Sequence, residues 1–244
     1  MIPPRLIPVL LIDRRRRVVK TVGFGDRTYI GDPFNVIRLL NEKEVDEICV
    51  LDIDASRDGR EPDFDFISSL ASECFMPLSY GGGISSIDQA RRLIADGVEK
   101  IVLRSHTSEG LIGEIAEAFG AQALIGCLDY RVVDGRRITT DGVPLEAEAA
   151  RLVAAGVGEM ILQSVDRDGM RTGMDVDGIA AVGPGLQVPI IALGGAGEVA
   201  HLETVIAAGA DAAASGSSFC FIGRLRAVLV TYPDYASRQK AASS

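Results

Sequence analysis

The chain has 244 residues, of which 47% are hydrophobic, enough to bury the core of one large α/β domain or two small ones. Its formal net charge of −9 argues against a general nucleic-acid binder, although a local basic pocket for a phosphorylated ligand is compatible with it. No apolar run approaches the roughly 20 residues of a membrane span, and no signal peptide precedes the first predicted strand. We therefore expect a cytoplasmic protein without a membrane segment.

Short apolar runs alternate with segments of helical period along the chain. Predicted strands begin at Leu6, Glu47, Met76, Lys100, Ala123, Met160, Pro189 and Ala212. Predicted helices span residues 34–43, 63–73, 86–96, 109–118, 145–155, 176–183, 199–208 and 220–230. Ser85 or Ser86 is a candidate N-cap of the third helix, and Gly97 is placed to end it.

Eight strands, each followed by a helix, predict a single α/β domain over residues 1–244, a (β/α)8 TIM barrel. A doubly wound open sheet is the alternative, but it usually has fewer strands, and no GxGxxG motif opens the first helix. Four short motifs recur in the same order, at offsets of 112 to 118 residues. Such a repeat predicts two (β/α)4 halves, about 1–120 and 121–235, with matching motifs on opposite sides of one mouth.

Cysteine and histidine usage limits the chemistry that the chain can perform. Cys49, Cys74, Cys127 and Cys220 lie in or beside apolar runs without metal-ligand spacing, which indicates buried free thiols in a reducing compartment. With only two histidines, His-based catalysis and a multi-His metal site are not expected. We expect neither a metal nor a cofactor.

Two glycine motifs are predicted to follow strands, where a backbone can approach a phosphate and the next helix offers free N–H groups. Serines at the ends of the fourth and eighth strands can add hydroxyl groups. Glycine is also common in tight turns, but two matched pairs favour binding of a ligand with a phosphate at each end. The first predicted cradle contains Gly82, Gly83 and Ser105, and the second contains Gly169, Gly195, Gly216 and Ser217.

Acids also follow the predicted strands, where packing alone explains them poorly because apolar neighbours make a charge costly. They are Asp52, Asp54, Asp129, Asp166 and Asp168. Some of them are candidates for holding loops by accepting backbone N–H groups. Asp129 is the first candidate for a general acid or base, whereas Asp168 is a candidate for binding substrate hydroxyls or ordering its loop.

Charged residues start several strands at the opposite face. Arg5 precedes the first strand, and Glu47, Lys100 and Glu159 start the second, fourth and sixth. Two cations and two anions there can simply pair and plug the barrel. The basic run Arg14 to Arg17 is typical of a solvated loop, and with Lys20 it can alternatively cover a polyanionic ligand.

Several motifs together resemble the cyclase subunit of imidazole glycerol phosphate synthase, the HisF family, over almost the whole chain. They are RLIPVLL, RVVK, GDP, DEICVLDIDAS, PLSYGGGI, GVEKI, GVGEMILQSVDRDG, PIIALGGAG and ADAAASGSSF, in the family's order. The resemblance implies a barrel that receives ammonia from a class I glutaminase, HisH-like, docked at its N-terminal face. Ammonia would pass a charged gate and the barrel interior to a bis-phosphorylated substrate at the other face.

Most functional positions of the family are kept. The resemblance assigns the gate to Arg5, Glu47, Lys100 and Glu159. It assigns substrate or phosphate binding to Lys20, Asp52, Gly82, Gly83, Arg104, Ser105, Asp168, Gly169, Gly195, Gly216 and Ser217. Of the family's two catalytic aspartates the second is Asp129, but Leu11 stands where the first belongs. Asp13, two residues on in a loop with one extra residue, is a possible stand-in.

Other departures fall in the same mouth. They are Val102 for serine, Arg104 for asparagine, Gln163 for threonine, Leu193 for serine and Cys220 for histidine. With the segment Tyr29 to Glu47, this pattern resembles a HisF-like branch linked to sugar amidation in surface-polysaccharide synthesis, the WbuZ type. Three hypotheses follow: a subunit that supplies ammonia for sugar amidation, a working cyclase of histidine biosynthesis, and a non-catalytic activator of the glutaminase.

Overall fold

The structure, a computed structural model, describes residues 3–222 and 227–233. Its central strands are β1 (Arg5–Ile12), β2 (Ile48–Asp52), β3 (Leu78–Gly81), β4 (Lys100–Arg104), β5 (Leu124–Val133), β6 (Glu159–Ser164), β7 (Ile190–Leu193) and β8 (Ala212–Ser215). Neighbouring strands pair in parallel in this order, and β8 pairs with β1, which closes the sheet. The closure confirms the (β/α)8 barrel and rules out the open sheet. The division into half repeats stays a prediction from the sequence.

Seven helices of 7 to 11 residues surround the barrel: α1 (Pro33–Glu42), α2 (Phe64–Glu73), α3 (Ile87–Ala95), α4 (Glu109–Phe119), α5 (Leu145–Ala155), α6 (Val176–Val182) and α7 (Val199–Ala207). Within the described ranges, none combines the length and apolar character needed to cross a membrane. Ser86 caps α3 by accepting the N–H of Gln89, and Gly97 follows the helix with a φ of +102°.

The predicted eighth helix over 220–230 is wrong for the residues that the structure describes. Phe221–Ile222 and Ala227–Val228 form a short antiparallel pair. The chain then returns alongside itself, because Thr231 donates its N–H to the carbonyl of Phe219, and the rings of Phe219 and Tyr232 lie 5.3 Å apart. The described residues of this segment therefore pair as extended chain and not as a helix.

Apolar side chains form two separate cores. The larger one lies between the strands and the surrounding helices. The smaller one fills the barrel and consists of Ile7, Val9, Cys49, Val102, Ile125, Cys127, Ile161, Ile191, Leu193, Ala212 and Ala214, with Leu11 and Leu51 packed against it. The alternation of side chains along a strand explains this separation, since successive residues face opposite sides of the sheet.

Three short strands extend the barrel at its C-terminal end. Val18–Lys20 pairs with β1 and with Thr28–Gly31, so the loop between them lies over the mouth. Arg136–Thr139 forms a hairpin with the end of β5. Both extensions bring loop residues next to the strand ends, where a (β/α)8 barrel binds its ligands.

Candidate active site at the mouth of the barrel

Two cavities open at the C-terminal ends of the strands. The first has a volume of about 510 Å³ and includes Asp52, Gly82, Gly83, Arg104 and Asp129 in its lining. The second has a volume of about 30 Å³ and is lined by Lys20, Asp168, Gly169, Gly195, Gly216, Ser217 and their neighbours. Leu11, Thr21 and Gln163 line both, so the two cavities meet at the centre of the mouth.

The first glycine loop wraps closely around the end of β2. Gly82 has a φ of +135°, and a Cβ there would lie 2.7 Å from the carbonyl oxygen of Asp52. Asp52 accepts the N–H groups of Asp54 and Ala55, at 3.0 and 2.9 Å, and lies 3.4 Å from Arg60. Asp52 therefore orders this loop as well as lining the cavity.

The second cavity is built around a buried lysine. Lys20 donates to the carbonyl of Val9, and a Cβ at Gly216 would collide with its Nζ atom. Burial lowers the pKa of Lys20. Asp168 accepts the hydroxyl of Thr21 at 2.8 Å, and burial raises the pKa of this carboxyl. The site thus combines a buried amine with close-approach glycine backbone, which suit a phosphate, and a half-buried acid lies beside them.

Ser105 does not lie where the matched-cradle prediction puts it. Its hydroxyl donates to Asp141, in the loop after the Arg136–Thr139 strand, and its carbonyl accepts from Arg151 at 2.6 Å. Ser105 is absent from the lining of the first cavity, whereas Ser217 lines the second. The two serines therefore differ in their surroundings, because Asp141, in the loop after the Arg136–Thr139 strand, accepts the Ser105 hydroxyl.

Asp129 and Arg104 form an ion pair inside the first cavity. The Nη2 atom of Arg104 lies 2.7 Å from Oδ2 of Asp129, and the two side chains are 48% and 7% exposed. Burial raises the pKa of Asp129, although the Arg104 guanidinium opposes that rise. The candidate acid is thus buried and already paired.

Leu11 gives the floor of the mouth an apolar character. It lines the first cavity with Leu51, Val102 and Cys127, and the second with Leu193. Asp13, the first acid after β1, does not replace Leu11 at this floor, because hydrogen bonds hold its carboxylate within its own loop. It accepts from the amides of Arg15 and Arg17 and pairs with the Arg17 guanidinium at 2.6 Å.

These contacts do not fit the predicted role of Asp13 as a stand-in for the missing acid. Although burial opposes the change, hydrogen bonds from Arg17 and the loop amides lower the pKa of Asp13. Asp13 is also absent from the lining of both cavities. The extra loop residue therefore closes a turn, and it does not bend the carboxylate into the mouth.

The basic run from Arg14 to Arg17 also lies away from the two mouth cavities. Arg16 pairs with Asp63 at 2.8 Å, and Arg17 pairs with Asp13. Arg15, Arg16 and Arg17 line a separate outer groove beside α1 and α2. These placements favour the solvated-loop interpretation over a cover for the ligand.

Arg27 is a residue of the site that the sequence did not reveal. It forms two hydrogen bonds of 2.6 and 2.7 Å to the fully buried Asp54, and Arg57 adds a third of 2.7 Å. The hydrogen bonds from Arg27 hold the pKa of Asp54 well below its usual range. The pair ties the loop over the mouth to the end of β2. A buried acid needs a counter-charge, but sequence separation does not show which arginine supplies it.

The four charged residues predicted at the opposite face come together in a ring. Arg5 contacts both Glu47 and Glu159, and Lys100 lies 2.7 Å from Glu159 and 3.5 Å from Glu47. Both glutamates are buried, and Oε1 of Glu47 accepts no hydrogen bond from the residues that the structure describes. The apolar barrel interior separates this ring from the mouth.

Comparison with known proteins places this architecture in a family. The family model for "Histidine biosynthesis protein" matches residues 5–225. A Leptospira borgpetersenii protein provisionally named imidazole glycerol phosphate synthase subunit HisF is 41% identical over 251 residues, covering 98% of each chain. A Pseudomonas aeruginosa protein provisionally named subunit hisF2 of that synthase is 43% identical over 246 residues, 96% of this chain and 97% of the relative.

A further relative carries the subunit name without that qualification. The imidazole glycerol phosphate synthase subunit HisF of Frankia casuarinae is 40% identical over 235 residues, covering 91% of this chain and 92% of its own. Both the family match and these identities extend over nearly the whole barrel, including the ring and the mouth. The chain belongs to the histidine biosynthesis protein family and is a HisF-like (β/α)8 barrel.

Proposed function

We propose that this chain is the synthase subunit of a glutamine amidotransferase complex. A class I glutaminase docks at the N-terminal face, and the ammonia that it releases passes through the ring and the barrel to a phosphorylated substrate at the mouth. The names of the relatives, which describe synthase subunits, support an enzyme of this kind. The observation that carries the proposal is the charged ring at one end of an apolar barrel interior.

The composition of this path suits a small neutral molecule. Charged species cross apolar surroundings at a high cost in free energy, whereas uncharged ammonia loses less on leaving water. The buried Oε1 atom of Glu47 is a hydrogen-bond acceptor that an ammonia N–H can use on entering. Arg5 and Lys100 balance the two glutamates, so the closed ring carries no net charge.

The mouth supports a substrate that carries phosphate groups. The second cavity offers Lys20 and three close-approach glycines, and the first offers the Gly82–Gly83 turn. Between them lies the apolar floor with Leu11. We propose that the reaction differs from the histidine-pathway cyclisation, since a leucine cannot transfer a proton and general acid–base help is typically worth 10²–10⁴-fold in rate. Ammonia supply for amidation of a sugar, in surface-polysaccharide synthesis, is the reaction that we favour.

A histidine-pathway cyclase is the second candidate, and the raised pKa of Asp129 in the first cavity favours it. A buried carboxyl with a raised pKa is a candidate general acid or base. An activity assay of the purified chain with ammonium and the ribulosyl substrate of that pathway distinguishes the two candidate functions. We expect no turnover. Turnover by the wild type would establish the cyclase, and turnover by Leu11→Asp alone would show that the pocket still binds that substrate.

The ammonia path is tested with a class I, HisH-like glutaminase from the same organism. We expect a stable complex and glutamine hydrolysis that is coupled to use of the ammonia. Arg5→Ala should uncouple the two, because it opens the ring, whereas Arg91→Ala on the outer face of α3 serves as a matched control. Absence of any complex would reject the proposal, and unchanged coupling in Arg5→Ala would reduce the ring to a structural plug.

The third hypothesis, a non-catalytic activator of the glutaminase, makes a different prediction. If the barrel only activates its partner, Asp129→Asn leaves both glutamine hydrolysis and ammonia-dependent product formation unchanged. We expect instead that this substitution lowers product formation while glutamine hydrolysis by the partner persists. The same complex supports both measurements.

A further inference from the structure

The ion pair between Arg104 and Asp129 joins two strand ends that both line the first cavity. Arg104 is the last residue of β4, and Asp129 lies on the neighbouring β5. The guanidinium side chain is half-exposed, whereas the carboxylate is buried. A ligand entering the cavity therefore meets the guanidinium first, and the acid behind it.

Asp129 depends on Arg104 for compensation of its charge. The apolar residues that line the same cavity include Leu11, Val102 and Cys127. The Cys127 thiol is 3.9 Å from the second carboxylate oxygen, and a thiol is a weak donor. The other charges that act on Asp129 are the acids Asp141 and Asp168, which oppose its ionisation.

The other arginines that line the first cavity pair with an acid outside its lining. Arg27 and Arg57 both bind Asp54, which is fully buried behind the cavity surface. Arg104 differs from them, because its partner faces the same space as the ligand. Of the three arginines in the lining, Arg104 is thus the one whose carboxylate partner also lines the cavity, and that carboxylate engages a donor that a ligand anion can use.

We propose that Asp129 acts as a built-in competitor for Arg104, and that an anionic group of the substrate, a phosphate or carboxylate, binds by displacing the Asp129 carboxylate from the guanidinium. Arg104 is then the residue that recognises the anion near the reacting end of the cavity. The displacement leaves Asp129 without its counter-charge only in the loaded cavity. This inference rests on the proposed function in one respect, that the cavity binds an anionic substrate, and it requires no glutaminase.

Competition predicts a pattern of affinities that a merely structural pair would not produce. The probe is inorganic phosphate, and its dissociation constant is measured by calorimetry on the full chain. Asp129→Asn should bind phosphate several-fold more tightly than the wild type, because the guanidinium is no longer engaged. Arg104→Gln should bind about tenfold more weakly, in line with the loss of one charge-assisted hydrogen bond. In the Arg104→Gln background, Asp129→Asn should have no further effect.

Controls separate this site from the second cavity and from misfolding. Ser217→Ala, in the second cavity, should leave the tightening caused by Asp129→Asn intact. Arg104→Lys keeps the positive charge and should retain part of the affinity, and thermal unfolding identifies any variant that fails to fold. Phosphate binding by Asp129→Asn alone, with none by the wild type, would also support competition.

The opposite results overturn the inference. They are an unchanged or weaker affinity in Asp129→Asn, an unchanged affinity in Arg104→Gln, or no phosphate binding by either the wild type or Asp129→Asn. None of these outcomes bears on whether a glutaminase binds the other end of the barrel. Failure of the proposed complex and failure of the competition are therefore distinguishable.

Discussion

Leu11 on β1 and Asp129 on β5 line the same cavity from opposite strands of the eight-stranded barrel. One side of the mouth is therefore apolar and the other carries an acid. The sequence repeat aligns IPVLL, which ends at Leu11, with IGCLD, which ends at Asp129, at an offset of 118 residues, so the two positions differ in chemistry. Two predictions concern these residues directly.

Leu11→Asp is expected to lower the free energy of unfolding by about 1–3 kcal/mol near neutral pH, because it places a charge against Leu51 and the apolar floor. The loss should shrink on acidification, when the new carboxyl is protonated. Urea denaturation at several pH values measures it. Leu11→Asn, which is polar but does not titrate, is the control and should show no such recovery. A pH-independent loss in Leu11→Asp would show that water reaches position 11 freely.

Asp129 is expected to make the wild type less stable as the pH rises. Burial raises its folded-state pKa above the ordinary value of 3.8, so above that value the folded state keeps a proton that the unfolded state has lost. The stabilisation from Asp129 is fully present at a pH below its pKa in the unfolded state. It is lost as the pH rises through its pKa in the folded state. As the pH rises above 3.8, Asp129→Asn should therefore lose less free energy of unfolding than the wild type. Equal losses in both proteins would contradict the raised pKa.

The contact between Arg27 and Asp54 is expected to hold the loop over the mouth in place. Arg27→Gln removes two hydrogen bonds from a fully buried carboxylate and should destabilise the fold by up to about 3 kcal/mol. Arg57→Gln is a matched control, since this mostly exposed arginine makes one hydrogen bond to the same acid, and its loss should cost less than about 1 kcal/mol. Denaturation curves measure both, and equal effects would argue against a special role for Arg27.

Acidification provides an independent test of the same pair. Hydrogen bonds from Arg27 depress the folded-state pKa of Asp54 below 3.8. The stability from this group is therefore present above pH 3.8 and is lost as the pH falls through the lower folded value. Arg27→Gln should be less sensitive to acid in this range than the wild type. A wild-type acid transition that Arg27→Gln leaves unchanged would rule out this contribution.

Phe75 is expected to anchor the glutaminase. The side chain is 85% exposed, and its loop is fixed because Phe75 donates its N–H to Asn41, which in turn donates to the carbonyl of Glu73. The loop continues to Pro77, whose carbonyl binds the N–H of Ile48 at the ring end of the barrel. An exposed aromatic side chain on a fixed loop, at the end of the barrel where the glutaminase is proposed to dock, is typical of a residue that dominates binding.

Phe75→Ala should therefore weaken the complex by about 1–3 kcal/mol in binding free energy, measured by calorimetry with the glutaminase. Val133→Ala is the control, because this exposed valine lies on the β5 extension at the other end of the barrel. A complex that forms with wild-type affinity in Phe75→Ala would exclude this anchor without rejecting the glutaminase itself.

The sequence predicted the strand starts to within two residues, because short apolar runs bounded by turns have few alternative structures. The segment 220–230 shows where local pattern fails. Its apolar residues fit both a helix and an extended chain, and the pairing of Thr231 with Phe219 decides between them. That pairing joins residues twelve apart along the chain, whereas helical periodicity reads only the neighbours three or four residues away.

The sequence by itself determined the barrel, the apolar residue Leu11 at the end of the first strand and the set of charges at the N-terminal face, because strand order and side-chain alternation fix which residues share an end of the barrel. Only the tertiary structure decided which partner each charge takes. It paired Arg104 with Asp129, directed Ser105 to Asp141 and kept Asp13 in its own loop. Hydrogen bonds act over about 3 Å, and a separation along the chain does not specify positions at that scale.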